Sequence, residues 1–373
     1  MEGHTLTFGL PRMHEEAGER RDFLPDLVRT VTDLGVRTFV ESGIGSGMGY
    51  SDLDYLAVSP LVEAVDEGAP YAQDVVLVLR SPDERFGLLR RGATLISMLH
   101  FPTRPERVHL LRSLGLEAVS LDSIEDDRGQ RLVEDAAAVA WNGVEAAFDA
   151  LEDTYPRFWD PDRPPIHVVV MGCGNVGRHA VEAATKYGSL DRQRLLFEKG
   201  GDGVEVTAIG RNLTGREGRM RQLLARADIV VDASARDDTS RPLIPNGWLA
   251  ELPDHAVICD LVVDPYLLRD DPATVRSIEG IPRGNLDRYV LGSDDPAWET
   301  TIPPEIPHDV RRVVVSCYSW PGVYPKPCME LYGTQLDPLL RALIRAGGVA
   351  GLRPDGEFHE RALYRATLWG WHG

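Results

Sequence analysis

The residues whose types and spacing most plainly could do chemistry are Gly172-Cys173-Gly174-Asn175-Val176-Gly177. They follow an apolar run, His167-Val168-Val169-Val170-Met171, and lead into a helical segment, Arg178 to Tyr187. With a strand before it and a helix after it, a G-x-G-x-x-G turn is the seat of a dinucleotide pyrophosphate. Glycine is needed at each place for its own physical reason. Gly172 permits the tight turn, Gly174 lets the backbone approach the phosphates, and Gly177 lets the helix pack close to the strand. Asn175 and Val176 stand at the start of that helix, whose free N–H groups and positive dipole end favour an anion.

The choice of cofactor turns on the next strand, which in this unit ordinarily ends in a ribose-binding acid. Two registers compete. Val204–Ile209 is the better strand, and it ends in Gly210-Arg211-Asn212. Glycine in place of the acid, with Arg211 and Asn212 behind it, suits the 2′-phosphate of NADP(H), which a guanidinium grips with paired hydrogen bonds. The other register makes Arg194–Phe197 the strand and Glu198 its terminal acid, which suits NAD(H) and lies nearer the usual spacing of ~20 residues. NADP(H) is the favoured cofactor and NAD(H) the alternative. Ala227–Ala233 and Ala256–Leu261 read as two further parallel strands, so Ala233, Asp260 and Asp264 fall at the carboxyl edge where open α/β sheets bind ligands.

The elements that must position these residues form two series. In the first third, Thr5–Leu10, Arg37–Glu41, Asp74–Arg80, Thr94–Leu99 and Glu117–Leu121 read as strands, with a helical pattern at Phe23–Leu34. A glycine-rich loop, Gly43 to Gly49, follows the second strand. Such alternation predicts βαβ units and a parallel sheet, hence an α/β fold. Val133, Ala137, Ala140, Val144, Phe148 and Leu151 keep a helical period over Leu132–Leu151, which reads as one long helix. Tyr155 to Pro165 is dense in proline and charge and reads as a linker. A second αβ series runs from Ile166 to about Ser316, and the tail from Pro325 has a helical pattern through Leu343.

At 373 residues the chain has room for two domains. With 43% hydrophobic and 26% charged residues it is an ordinary globular composition. A net charge of −18 argues against a nucleic-acid or anionic-membrane partner, both of which call for basic patches. No apolar run is long enough for a membrane span, and Met1-Glu2-Gly3-His4 does not read as a signal peptide, so a cytoplasmic protein is expected. Cys173, Cys259, Cys317 and Cys328 form no CxxC pair and no cluster with zinc spacing, so buried thiols and no metal are expected. The three lysines, Lys186, Lys199 and Lys326, leave the first 185 residues with none.

Several segments, in consistent order along nearly the whole chain, resemble the alanine dehydrogenase/transhydrogenase N-domain family, including its saccharopine dehydrogenase branch. Gly43–Gly49 looks like that family's glycine loop, and Tyr50-Ser51-Asp52-Leu53-Asp54-Tyr55 resembles its "FSDEDY" stretch. Glu19 to Pro25 is similar to "ExRxALTP", Leu99-His100 to the "YLH" step, Asp122 to Gly129 to "ETVQDDDG" and the segment ending in Asp264 to "VIVDVAID". Pro321 to Pro338 resembles a saccharopine dehydrogenase tail, and the chain length fits that branch. Met13 and His14 depart from the family's "KE".

The resemblance implies two Rossmann-like lobes with parallel sheets and a cleft between them. The substrate lobe would comprise residues 1–135 with 320–373, and the dinucleotide lobe residues 136–319. It implies that His100 is the acid/base group, that Arg21 (or Arg20, with the gap placed differently) binds a substrate carboxylate, and that Asp260 or Asp264 is the nucleotide-lobe acid. Arg80 falls where the family has its active-site lysine. An arginine stays protonated, so it cannot share proton transfer, although it can clamp a carboxylate; the proton work then falls to His100.

The expected activity is NAD(P)-dependent hydride transfer at the CH–NH centre of an amino acid or an N-carboxyalkyl amino acid, on a small amino-acid or keto-acid substrate. A homo-oligomer is compatible with it, since members of the family differ in oligomeric state. Two alternatives stand beside it: a nucleotide-binding sensor without turnover, motivated by the absent lysine, and an imine reductase on the same scaffold. Without the resemblance, His100 reads as a hydrogen-bonded structural residue, and Arg21 and Arg80 as ion-pair residues.

Overall fold

A computed structural model describes residues 6–13, 16–200 and 202–371. His14, and Thr5 with which the first strand was expected to open, lie outside them. The described chain is α/β and divides into two compact units, Met1–Asp135 with Tyr324–Gly373, and Ala136–Val323.

The first unit is built on a six-stranded parallel sheet of order β3-β2-β1-β4-β5-β6. Its strands are β1 (Thr7–Leu10), β2 (Arg37–Glu41), β3 (Val62–Val65), β4 (Val75–Arg80), β5 (Thr94–Met98) and β6 (Glu117–Ser120). In β4 the five residues before Arg80 are all buried, because helices and loops cover both faces of a parallel sheet. One face packs against the helices Pro25–Thr32 and Pro325–Arg345 through Leu27, Val28, Val31, Leu336, Leu340 and Leu343. The other holds Phe86, Phe101, Val108, Leu111 and Leu368. Strand β3 is absent from the sequence expectations: its alternating Val62-Glu63-Ala64-Val65 is short, and only the parallel partner β2 makes it a strand.

The second unit carries the order β11-β12-β10-β9-β7-β8. Strands β7 (Ile166–Met171), β8 (Val204–Ile209), β9 (Ile229–Asp232), β10 (Val257–Asp260) and β12 (Val313–Ser316) are parallel, and β11 (Val290–Leu291) is antiparallel to β12. Leu190–Lys199 is helical, which excludes the strand at Arg194–Phe197 and leaves Val204–Ile209 as the second strand of the nucleotide motif.

Two sequence expectations need correction. The long helix is Ala136–Thr154, not Leu132–Leu151, because Leu132 donates its N–H to Ile124 O in the preceding loop. Tyr155 to Pro165 is no free linker: Phe158 and Arg163 are fully buried, and Arg163 donates from Nε to Phe158 O and from Nη1 to Pro164 O. Proline and charge marked the segment as irregular, but its aromatic and guanidinium groups fold into the core. Burying a side chain the size of Phe158 contributes about 1.5–3 kcal/mol. Among the described residues no helix is long and apolar enough to cross a membrane.

Candidate functional site

In the second unit the turn after β7 brings the Gly172–Gly177 motif to the carboxyl edge of the sheet. Gly172 has φ 103°, and a Cβ there would stand 2.2 Å from the Ala233 carbonyl oxygen, so this position excludes any side chain. A Cβ on Gly177 would meet the Gly172 carbonyl oxygen at 2.1 Å; its absence lets the helix Asn175–Thr185 seat against the turn. Gly174 is different: a Cβ there would find nothing within 4 Å. The chain thus leaves open the glycine position that a pyrophosphate would approach. Ala233 donates its N–H to Met171 O at 2.9 Å, tying β9 to the turn. Asn175 is exposed and accepts from Arg178 Nη2 at 2.7 Å, while Val176 packs on the core.

Beyond β8, Gly210, Arg211, Asn212 and Leu213 line an open hollow of about 510 Å³. Arg211 lies at the surface, its Nη1 2.7 Å from Asp237 Oδ2. These residues fit a nicotinamide dinucleotide: bare backbone at Gly174, a helix N-terminus, and a guanidinium beside the hollow that follows the second strand.

The acids at the ends of β9 and β10 are held in a network. Asp260 is buried; its Oδ2 accepts from Arg276 Nη1 at 2.5 Å and Ser316 Oγ at 3.0 Å, and its Oδ1 from the Val263 N–H at 2.9 Å. Those bonds hold Val263 at φ 53°, a left-handed conformation uncommon for a β-branched residue. Asp264 follows directly, 2.5 Å from Arg236 Nη2, and that guanidinium also donates to the carbonyls of Val275 and Arg241. Asp232, buried between Ser234 and Ser277, is pushed up to about 7 by burial and by the neighbouring Asp260. Of the two expected nucleotide-lobe acids, Asp260 is locked inside the core and Asp264 remains partly exposed.

In the first unit, β5 delivers His100 to the carboxyl edge at φ 53°, and β6 delivers Asp122 beside it. Asp122 Oδ1 accepts the His100 backbone N–H at 3.1 Å and Ser120 Oγ–H at 2.8 Å, and its Oδ2 lies 3.3 Å from His100 Nδ1. Burial pushes Asp122 upward, but its hydrogen bonds and the imidazole charge outweigh burial and hold it below the usual carboxylate range. The imidazole is half exposed, so Asp122 fixes Nδ1 while the ring stays accessible. A histidine oriented by a buried acid can exchange a proton through its other nitrogen.

Arg21 and Arg80 are met by acids of their own chain. Arg21 is buried and makes a bidentate pair with Glu19, Nε to Oε1 at 2.8 Å and Nη2 to Oε2 at 2.6 Å, with Nη1 3.9 Å from Cys328 Sγ. Arg80, partly exposed at the end of β4, lies 3.0 Å from Glu16 Oε1. Arg20 is exposed and its backbone packs on Gly47. The glycine loop is tied down by carboxylates: Gly43 donates to Asp52 at 2.6 Å and Gly45 to Asp22 at 2.8 Å.

Sequence reasoning did not single out Asp122, Glu16, Arg236 or Arg276 as site residues. For Asp122 a signal existed, since the parallel neighbours β5 and β6 are followed, just past their ends, by a histidine and an acid. For Arg236 and Arg276, set in irregular loops, no periodicity or motif gave one.

Residues 9–139 match the family model "Alanine dehydrogenase/PNT, N-terminal domain". The chain is similar to the NAD(P) transhydrogenase subunit alpha of Cereibacter sphaeroides, 29% identical over 195 residues, 50% of this chain but 37% of that one. It is similar also to the alanine dehydrogenase of Bacillus subtilis, 22% identical over 276 residues, covering 69% of this chain and 71% of that one. Among solved structures, an L-alanine dehydrogenase matches with a TM-score of 0.70 at 20% identity, over 97% of this chain and 94% of that one. That likeness shows the two-sheet Rossmann-type fold.

Proposed function

We propose that the chain, whose residues 9–139 match the alanine dehydrogenase/PNT N-terminal domain model, is an oxidoreductase that transfers hydride between NADP(H) and the CH–NH centre of an amino acid or N-substituted amino acid. The observation that carries the reading is the His100–Asp122 pair: an accessible imidazole with one nitrogen committed to a buried carboxylate. When bound, the cofactor supplies or takes up the hydride at C4 of its nicotinamide. In the oxidative direction His100 takes the proton released from the substrate nitrogen as the C–N bond becomes an imine. In the reductive direction it returns that proton, or protonates the oxygen that leaves as water.

Gly172, Gly174, Asn175, Val176, Gly177 and Ala233 would hold the pyrophosphate turn, and Arg211 with Asn212 the ribose end. The absence of an acid at Gly210 supports NADP(H) over NAD(H). Arg80 would take a substrate carboxylate by exchange with Glu16. Arg21, committed to Glu19, would act through the loop that bears Glu16, and Arg20 would remain at its rim. Asp264, steadied by Arg236, would orient ammonium or water, whereas Asp260 would hold the strained Val263 turn from beneath.

A fluorescence titration with NADPH and NADH tests the cofactor assignment. NADPH oxidation with 2-oxoglutarate, pyruvate or glyoxylate, together with lysine, ornithine or ammonia, tests the reaction. Turnover with one pairing is expected. Cofactor binding with no turnover across the panel would instead favour a nucleotide-binding sensor, the second reading, which the Arg80–Glu16 pair supports because an ion-paired guanidinium, always protonated, stands where the resemblance puts a titratable amine.

A further inference from the structure

We infer that the C-terminal segment Ala366–Trp371 holds the His100–Asp122 pair in register, with Trp371 a positioning residue for the proton transfer; this rests on the acid/base reading of His100. Strand β6 is the edge of the first sheet and would otherwise leave a row of backbone groups open. The tail covers it. Ser120 donates its N–H to Ala366 O at 2.9 Å, Leu368 donates to Ala118 O at 2.8 Å, and Thr367 bridges Val119 antiparallel.

Ser120 is the link to the pair. Its Oγ donates to Asp122 Oδ1 at 2.8 Å and accepts the Leu99 N–H at 3.3 Å, so one tail-bound residue touches both Asp122 and the residue before His100. The tail also reaches the residue after His100. The Phe101 ring is fully buried and packs on Trp371 with centroids 5.6 Å apart at 49°. Arg112 Nη2 donates to Leu368 O at 3.1 Å and fastens the tail to the helix that follows.

This bracing matters because His100 is left-handed. A non-glycine residue stays in that conformation only where its surroundings over-determine it. Phe101 is the anchor on one side, and Trp371 is the tail ring that packs on it. Without Trp371, residues 100–104 lose one of the contacts that hold them and shift toward an ordinary backbone conformation, which moves the imidazole off Asp122.

Trp371→Ala and Trp371→Phe are compared with the full-length wild type, with Trp371→Leu as a milder variant should the alanine form not fold. Expected for Trp371→Ala (or Leu) is a fall in kcat of roughly ten- to hundredfold, the scale of an ångström-level misplacement. Substrate KM should change less than about threefold and NADPH affinity should not move, while Trp371→Phe restores kcat to within about threefold. The His100 amide should exchange faster while Ser120 stays protected. Unchanged kcat, or a fall in kcat without faster exchange at His100, would overturn the inference. If His100→Ala retains activity, the acid/base reading fails, and the exchange at His100 still decides whether Trp371 holds the pair.

Discussion

Asp122 grips His100 at two points: Oδ1 accepts the backbone N–H at 3.1 Å, and Oδ2 lies 3.3 Å from Nδ1. The acid therefore ties both the backbone of the histidine and the direction its ring faces. Asp122→Asn keeps the shape and removes the charge, and an amide can present the wrong partner to Nδ1. It is expected to lower kcat by about 10²–10³-fold with NADPH affinity unchanged, because general acid/base work contributes on that scale. The pH dependence has a definite sign. Asp122 is held below its unfolded range, so its contribution to stability is present above about pH 4 and is lost as pH falls. Melting curves of the two proteins should differ most at pH 6–7, and the difference should begin to shrink only as pH falls below about 4.

Gly172 and Gly174 lie two residues apart and should fail in different ways. Gly172→Ala places a Cβ against the Ala233 carbonyl at a backbone angle alanine resists, so it should lower stability by about 1–3 kcal/mol as well as cofactor affinity. Gly174→Ala meets nothing within 4 Å and should melt like the wild type. It should nevertheless weaken NADPH at least about tenfold, since a methyl group would stand where the pyrophosphate must approach the backbone. Calorimetry and fluorescence titration of both variants separate the two effects.

Arg211 and Asp237 form an exposed pair beside the hollow after β8. Arg211→Ala should weaken NADPH by about tenfold or more and leave NADH nearly unchanged, because only the former carries the 2′-phosphate. Asp237→Asn should do the reverse, tightening NADPH by freeing the guanidinium. Equal losses for both cofactors with Arg211→Ala would place the 2′-phosphate elsewhere.

Asp232 predicts a pH effect of opposite sign to that of Asp122. Its carboxyl is raised to about 7 by burial and by Asp260, so the folded protein binds a proton there that the unfolded chain releases near pH 4. Its contribution favours folding at low pH and is lost as pH rises through about 7. Asp232→Asn should flatten the decline in melting temperature between about pH 4 and 7, which a thermal scan at several pH values would record.

Much of this architecture was legible because its signals were local. The run Val168–Met171 followed by Gly172, and the nearly continuous apolar β4, read directly as buried parallel strands, and the turn glycines stood in the required context. What stayed hidden depended on distant partners. Val62–Val65 becomes a strand only beside β2, and Arg163 enters the core only because Phe158 and Pro164 present carbonyls to it. Asp122, 22 residues from His100 in sequence, becomes its neighbour through the β5–β6 register. Arg236 finds Asp264 across two irregular loops that no periodicity describes.

In the proposed nicotinamide-linked reaction at a carbon–nitrogen centre, His100 moves the proton. The most direct test is turnover of His100→Ala with the substrate pairing that wild type uses, measured beside its NADPH binding curve. A loss of kcat of about 10²-fold or more with an unchanged NADPH dissociation constant is the predicted result. Wild-type turnover in His100→Ala would contradict that role and assign the Asp122 pairing to structure alone.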